Sequence, residues 1–258
     1  MSPGRLFAYA ITASIAYLVT VVVTAPASWL ARALEQASAD RLHLREVSGT
    51  VWTGSARLVV RTPDRRGLDL GVLRWTARPS GLLPPRIGVS LRASADAPPV
   101  LLEISPARIA VEDLDLKIPG SMLPSFAPVL ASFGPRGTVH VRSESLRLER
   151  DAYFGLAEVE WQGAALASQP GLALGSHIAR LRGAGERVDI DLGTLEGPLQ
   201  LSGKATWRPN ASFEIAGSAQ ARTPEARAFL RSVCAVDHAS TCPFAWRSAS
   251  AEATAARR

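Results

Sequence analysis

The residues best placed for chemistry lie near the C-terminus, where Cys234, His238 and Cys242 follow one another at intervals of four, with Asp237 beside them. That spacing gathers three ligands on one helical face, as a zinc ion requires, but no second cluster completes a closed tetrahedral site. The two thiols have another use. In an oxidising compartment they close a loop of nine residues, which chain-entropy estimates value at about 2 to 3 kcal/mol. A disulfide between Cys234 and Cys242 is the preferred expectation, with zinc and free thiols as the alternatives, and no metal site is expected. His43, His140 and His177 are scattered, with no His-Glu-x-x-His. There is no Gly-x-Ser-x-Gly, no Walker loop and no glycine run opening a dinucleotide-binding helix. Gly183-Ala184-Gly185 lies between two strand candidates and reads as a turn. Glu112-Asp113 and Asp189/Asp191 are neighbours on strands, and the second pair shares a polar face, where solvation accounts for it better than acid–base work. The chain reads as a non-enzyme with no cofactor.

The elements that carry these residues begin with an apolar run. From Leu6 to Thr24 there is no charged residue, and its hydroxyls are ones a helix satisfies on its own carbonyls. Nineteen residues at about 1.5 Å each reach about 28 Å, close to the hydrocarbon thickness of about 30 Å. Ala25-Pro26-Ala27 has the small-x-small shape of a cleavage site, yet the run is longer than the apolar core of a signal peptide. We expect an uncleaved anchor over residues 6–25 and a cytoplasmic N-terminus over 1–5. Arg5 favours that orientation and Arg32 opposes it. Pro26 then starts a helical turn, and Trp29, Leu30, Ala33, Leu34 and Ala37 recur at helical spacing, so residues 26–40 read as a juxtamembrane helix with Trp29 at the interfacial belt.

Beyond it the period becomes two. Ile87 to Leu91, Ile109-Val111, Leu114-Leu116-Ile118, Val139-Val141, Leu146-Leu148, Val188-Ile190-Leu192, Leu199-Leu201 and Phe213-Ile215 alternate, separated by Pro- and Gly-rich turns. Many short strands without helical crossovers predict a mainly β fold, an antiparallel twisted sheet with one aliphatic and one polar face. The tiling is an open groove or half-barrel, and two similar modules fit an internal echo. Gly49-Thr50-Val51-Trp52 returns as Gly137-Thr138-Val139-His140, each copy followed by a strand and then by Trp75 or Trp161; chance repetition in a β protein explains the echo equally well. The expected division is module 1 over 41–120, a proline-rich connector over 121–135, module 2 over 136–222, a helix and Cys loop over 223–247, and a disordered tail over 248–258. The helix starts at Thr223-Pro224-Glu225, which supplies an N-cap hydroxyl, a pre-set φ and a carboxylate on the helix dipole. Only two of the 29 basic residues are lysines, Lys117 and Lys204, and the arginines are spread along the chain, which leaves a net charge of +6 without a polybasic arm. No nucleic-acid partner is expected.

Three stretches carry a family resemblance. Val47-Ser48-Gly49-Thr50-Val51-Trp52-Thr53-Gly54-Ser55-Ala56 resembles the signature near the start of the exported domain of the type II secretion system protein N family. Leu73-Arg74-Trp75-Thr76-Ala77-Arg78-Pro79 resembles that family's second strand, and the stretch from Leu192 to Gly203, with Gly197-Pro198 at its turn, resembles a later one. With the anchor in front, the resemblance covers nearly the whole chain; the tail holding Cys242 departs from it. It implies a single-pass inner-membrane protein with a periplasmic β domain, a non-enzymatic accessory of protein secretion across the outer membrane, with other secretion subunits as partners. The alternative is a bridge-like lipid-binding or lipid-transfer protein whose aliphatic face, with Leu114, Leu116, Val188, Ile190 and Leu192, forms an open groove. Within the first motif, Gly49, Thr50 and Gly54 surround Trp52, which reads as a packing residue over a glycine, the other reading being a partner contact.

Overall fold

The computed structural model describes residues 3–38, 40, 42–61, 67–82, 85–93, 98–126, 128–150, 152–169, 171–208, 212–234 and 241–248. They form thirteen strands in antiparallel hairpin succession, few helices, and two compact units, residues 1–81 with 87–99 and residues 82–86 with 100–258. Within each unit every strand lies beside the one before and after it in the chain.

In the first unit α1 spans Pro3–Val23 and α2 spans Ala27–Ala37. The side chains of α1 are described over 11–14 and 16–23. Among the described residues no helix is long and apolar enough to cross a membrane. Thr20 Oγ1 donates to the Ala16 carbonyl and Thr24 Oγ1 to that of Thr20, so these hydroxyls are satisfied within the helix. Strands β1 (Leu42–Gly49), β2 (Thr53–Arg61), β3 (Gly67–Leu82) and β4 (Pro85–Arg92) follow. The small inner residues Ala27 and Ala31 let α2 settle closely on the sheet, where Leu44, Ala56 and Trp75 complete the core.

The second unit contains β5 (Val100–Ile104) and β6 (Arg108–Pro119), then the proline-rich stretch as two 3₁₀ turns, Gly120–Met122 and Pro128–Ser132, around the four-residue α3 (Leu123–Phe126). Prolines deny this stretch the donors and φ range of a strand or long helix. The meander resumes with β7 (Pro135–Glu149), β8 (Ala152–Leu166), β9 (Ala173–Gly185), β10 (Val188–Glu196), β11 (Leu199–Arg208) and β12 (Ser212–Ala221). Helix α4 (Pro224–Val233) begins at the Thr223 cap, whose hydroxyl accepts from Ala226 N. It is followed by β13 (Thr241–Ser248), which pairs with β12 and ends the strand order. This strand occupies the second half of what the sequence predicts as a loop and takes in Ser248, the first residue of the expected tail. Its alternation is broken by Pro243, and only the register with β12, Ala219 opposite Cys242 and Ile215 opposite Trp246, makes it a strand. Residues 249–258 of the expected tail, and His238 and Asp237 of the zinc alternative, lie outside the described residues.

Alternation and register together sort the side chains. Residues directly opposite one another share a face. Leu148–Tyr153, Val141–Val159, Leu181–Ile190, Val188–Trp207 and Ile215–Trp246 therefore build one apolar face across β7 to β13. The opposite face is ionic. Glu158 meets Arg180 at 3.0 Å and Arg142 at 3.8 Å, Arg187 meets Asp189 at 3.1 Å and Arg247 meets Glu214 at 3.1 Å. Exposed pairs of this kind contribute about 0 to 1 kcal/mol each, so the arginines keep the face solvated more than they hold the fold.

Candidate functional site

Apolar burial is uneven along the face just described. At one end α4 covers it. Ala164, Leu166, Leu174, Leu199, Ala219, Leu230 and Cys242 form a closed core there, with Ala226 of α4 also buried. At the other end nothing in this unit lies over the sheet among the described residues. Leu148, Trp207 at 37 % and Trp246 at 59 % remain exposed, and Leu146, Tyr153, Leu181, Val188 and Trp207 line a shallow apolar cleft of about 170 Å³. Tyr153 and Trp207 are tilted against each other at 5.1 Å, and Phe213 and Trp246 at 5.8 Å; with Trp207 opposite Phe213, two half-buried and two exposed rings make a row towards the edge strand β13. Of the five aliphatic residues singled out for a groove, Val188 is buried, Leu114, Ile190 and Leu192 are half-buried, and Leu116 is exposed. The cleft is smaller than the roughly 300 to 1,000 Å³ of a pre-formed small-molecule pocket. An exposed apolar row of this kind is what a macromolecular contact uses.

The polar candidates do not converge on this surface. His43 Nδ1 lies 3.1 Å from Glu35 Oε1, and His140 Nε2 lies 2.7 Å from Asp115 Oδ1. Asp113 has φ of 52° and drops out of the β6–β7 pairing between Glu112 and Leu114, whose register does not shift across it. His177 is 7 % exposed; its Nδ1 lies 3.0 Å from Thr194 Oγ1, its ring is 6.4 Å from that of Trp161, and Nε2 has no hydrogen-bond partner among the described residues. Burial pushes its pKa below the ordinary 6.5, against a smaller opposing effect from a backbone hydrogen bond at Leu174. The unfolded chain therefore takes up the proton first. The His177 contribution is intact above about pH 6.5 and is lost as pH falls below it. Urea unfolding from pH 7.5 to 5 is expected to show a smaller acid loss in His177→Gln than in the parent chain; equal slopes would refute it. Among the described residues no three His, Cys, Asp or Glu side chains group to hold a metal.

The motif residues have structural surroundings that the linear sequence does not show. The turn 50–52 reverses β1 into β2, with Thr50 Oγ1 accepting from the backbone N–H of Trp52 and Thr53 at 3.2 Å each. Gly49 has φ of +90°, a region a side chain rarely tolerates. A Cβ on Gly54 would enter the indole of Trp75, so the ring that lies on this glycine comes from the neighbouring strand. Trp75 is 4 % exposed and its Nε1 donates to Thr50 O at 3.2 Å. Trp52 faces away from that core: its Nε1 donates to Val22 O of α1 at 2.8 Å. Pro79 lies on β3, exposed. Gly197-Pro198 turns β10 into β11, and Gly197, with φ of +122°, packs backbone to backbone on Gly175. Cys234, at the end of α4, and Cys242, on β13, stand in disulfide contact with Cα atoms 6.2 Å apart.

No curated protein and no solved structure matches the chain. A family model does, that of type II secretion system (T2SS), protein N, over residues 40–234. The match contains both the Trp75–Gly54 core and the Gly175–Gly197 crossing. With that span, and with its three motif stretches placed at the turns and close approaches that shape the sheet, the chain belongs to the type II secretion system protein N family.

Proposed function

We propose that this type II secretion component is a non-enzymatic accessory anchored in the inner membrane by α1, acting through binding by its periplasmic β domain. The observation that carries the binding reading is the uncovered apolar row ending at Trp246 on β13. An edge strand offers a line of backbone donors and acceptors, and an adjoining apolar face offers pockets for alternate side chains, the combination used in strand addition. Support for the anchor comes from the uncharged sequence from Leu6 to Thr24 and from the exposure of Tyr17, Leu18, Val19, Val22 and Val23. Ala25 and Ala27, the small residues of the cleavage-like triplet, are buried, which favours a chain that stays uncleaved. The domain division expected above, with modules at 41–120 and 136–222, belongs to the same proposal. The test is co-purification of the tagged full chain with the inner-membrane secretion subunits, repeated with Trp246→Ala. Recovery that falls with the variant supports the reading; absent co-purification alongside normal export in a deletion strain overturns it.

A second reading has its own observation. The half-buried Leu114, Ile190 and Leu192 beside the cleft would also suit an acyl chain. Lipid retained on the purified chain in native mass spectrometry favours this groove, and a lipid-free chain excludes it.

The Cys234–Cys242 bridge is proposed to form in the oxidising periplasm, where it ties β13 to the end of α4. Thiol titration of the unreduced, metal-free protein is expected to find no reactive thiol, and two after unfolding in reductant. Two in the untreated protein would overturn the bridge.

A further inference from the structure

We propose that α2 and the turn 50–52 form a collar lying in the headgroup layer of the membrane that α1 enters, with Trp29 and Trp52 as its aromatic anchors. The inference rests on the anchor reading above and names the surface by which the β domain meets lipid. Its first support is a junction held rigidly at the end of α1. Val51 N donates to Ala25 O at 3.0 Å, Pro26 and Thr50 form an antiparallel bridge, and Trp52 Nε1 donates to Val22 O at 2.8 Å. The last carbonyls of a helix lack intrahelical donors, and a bare one at the hydrocarbon boundary is costly. Val22 O accepts only a long bond from Ala25 N at 3.4 Å, and Trp52 adds a shorter one from a side chain whose apolar body and polar N–H suit that boundary.

Its second support is the make-up of the outer side of α2. Ala27, Ala31 and Leu34 pack on the sheet. Trp29 at 52 % and Leu30 at 39 % are exposed on the other side with Ala33, and the exposed Arg32 and Gln36 stand beside them. An exposed ring and leucine interleaved with an arginine and an amide are the mixture that suits a headgroup layer. The occupant follows from the distance to α1. Residues 24–26 separate the two helices and reach about 10 Å at most. The interfacial layer of a bilayer is roughly 5 to 8 Å deep on each side. A helix tethered so closely to the end of a span lies within or against that layer, and its exposed ring and leucine are the groups that enter it.

The experiment uses the full chain reconstituted in phosphatidylethanolamine and phosphatidylglycerol vesicles, with lipids brominated either high on the acyl chain or near its end. Parent, Trp29→Phe, Trp52→Phe and the double variant are compared after an alkaline wash. Phenylalanine keeps the apolar surface at both positions, and Trp29 has no core contact to lose; circular dichroism checks the fold. Quenching by the shallow bromines is expected to fall at least about twofold in the double variant, with the deep bromines affecting both chains weakly, since interfacial rings sit at headgroup level. Shallow quenching that is absent in the parent, or unchanged in the double variant, while the chain stays in the vesicles, overturns the collar and leaves the anchor standing. Release of the chain by the wash overturns the anchor reading, and the collar with it.

Discussion

Replacing Trp75 by alanine is expected to destabilise the first unit by about 3 to 5 kcal/mol, the range for deleting a large buried aromatic ring. Trp75 joins three layers of that unit. Its ring lies on Gly54 of β2, it packs in one cluster with Ala27 and Ala31 of α2, and its N–H satisfies Thr50 O in the turn between β1 and β2. Alanine leaves a cavity that glycine and alanine neighbours cannot fill, and strands the Thr50 carbonyl. Trp75→Phe keeps most of the ring and loses the donor, so it should cost less, about 1 to 3 kcal/mol. Urea unfolding followed by circular dichroism measures both. A loss below about 1 kcal/mol for alanine would show that the cluster closes without the indole.

The second large effect is expected at Gly197. Alanine there is strained by the positive φ, about 1 to 2 kcal/mol, and its methyl would run into Gly175 Cα, with Leu174 O at 2.9 Å and Gly175 N at 3.1 Å. These are backbone atoms and cannot rotate away. β9 and β10 must separate, which disturbs the Ser176–Glu196 hydrogen bond at 3.3 Å and the Thr194 hydroxyl that accepts from Leu201 N at 2.7 Å. We expect a total of about 3 kcal/mol or more, enough to unfold a domain of ordinary stability at moderate temperature. Gly185→Ala is the comparison. Its φ is +95°, but nothing lies within 4 Å of the added carbon, so it carries the conformational strain alone. If the two variants unfold at the same urea concentration, the close approach of β9 and β10 has no energetic consequence.

What could be read in the linear chain was local. Period-two alternation located strands from Ile87–Leu91 to Phe213–Ile215, because the pleat turns successive side chains to opposite faces wherever the strand pairs. Thr223-Pro224-Glu225 marked the start of α4 because a cap, a fixed φ and a dipole partner act within one turn. β13 escaped because Pro243 and the nearby cysteines look like a loop until β12 supplies a register. Trp52 was misleading for a related reason. Gly49 and Gly54 lie on either side of it in the sequence, yet the glycine contact belongs to Trp75 and the indole of Trp52 reaches Val22, thirty positions away.

By itself, then, the order of residues determined the class of fold, the division into an apolar N-terminal helix and alternating strands, the helix after Thr223, and the family through three short motifs. Those signals are carried by neighbours within about one turn or one hairpin. Only the tertiary structure decided which half of the apolar face α4 closes and which half Trp207 and Trp246 leave open. It alone also showed that Gly175 and Gly197 meet and that Trp52 closes the end of α1. Each of these depends on register and helix docking summed over many distant pairs, so alternating strands of the same composition serve a covered face and an uncovered one alike.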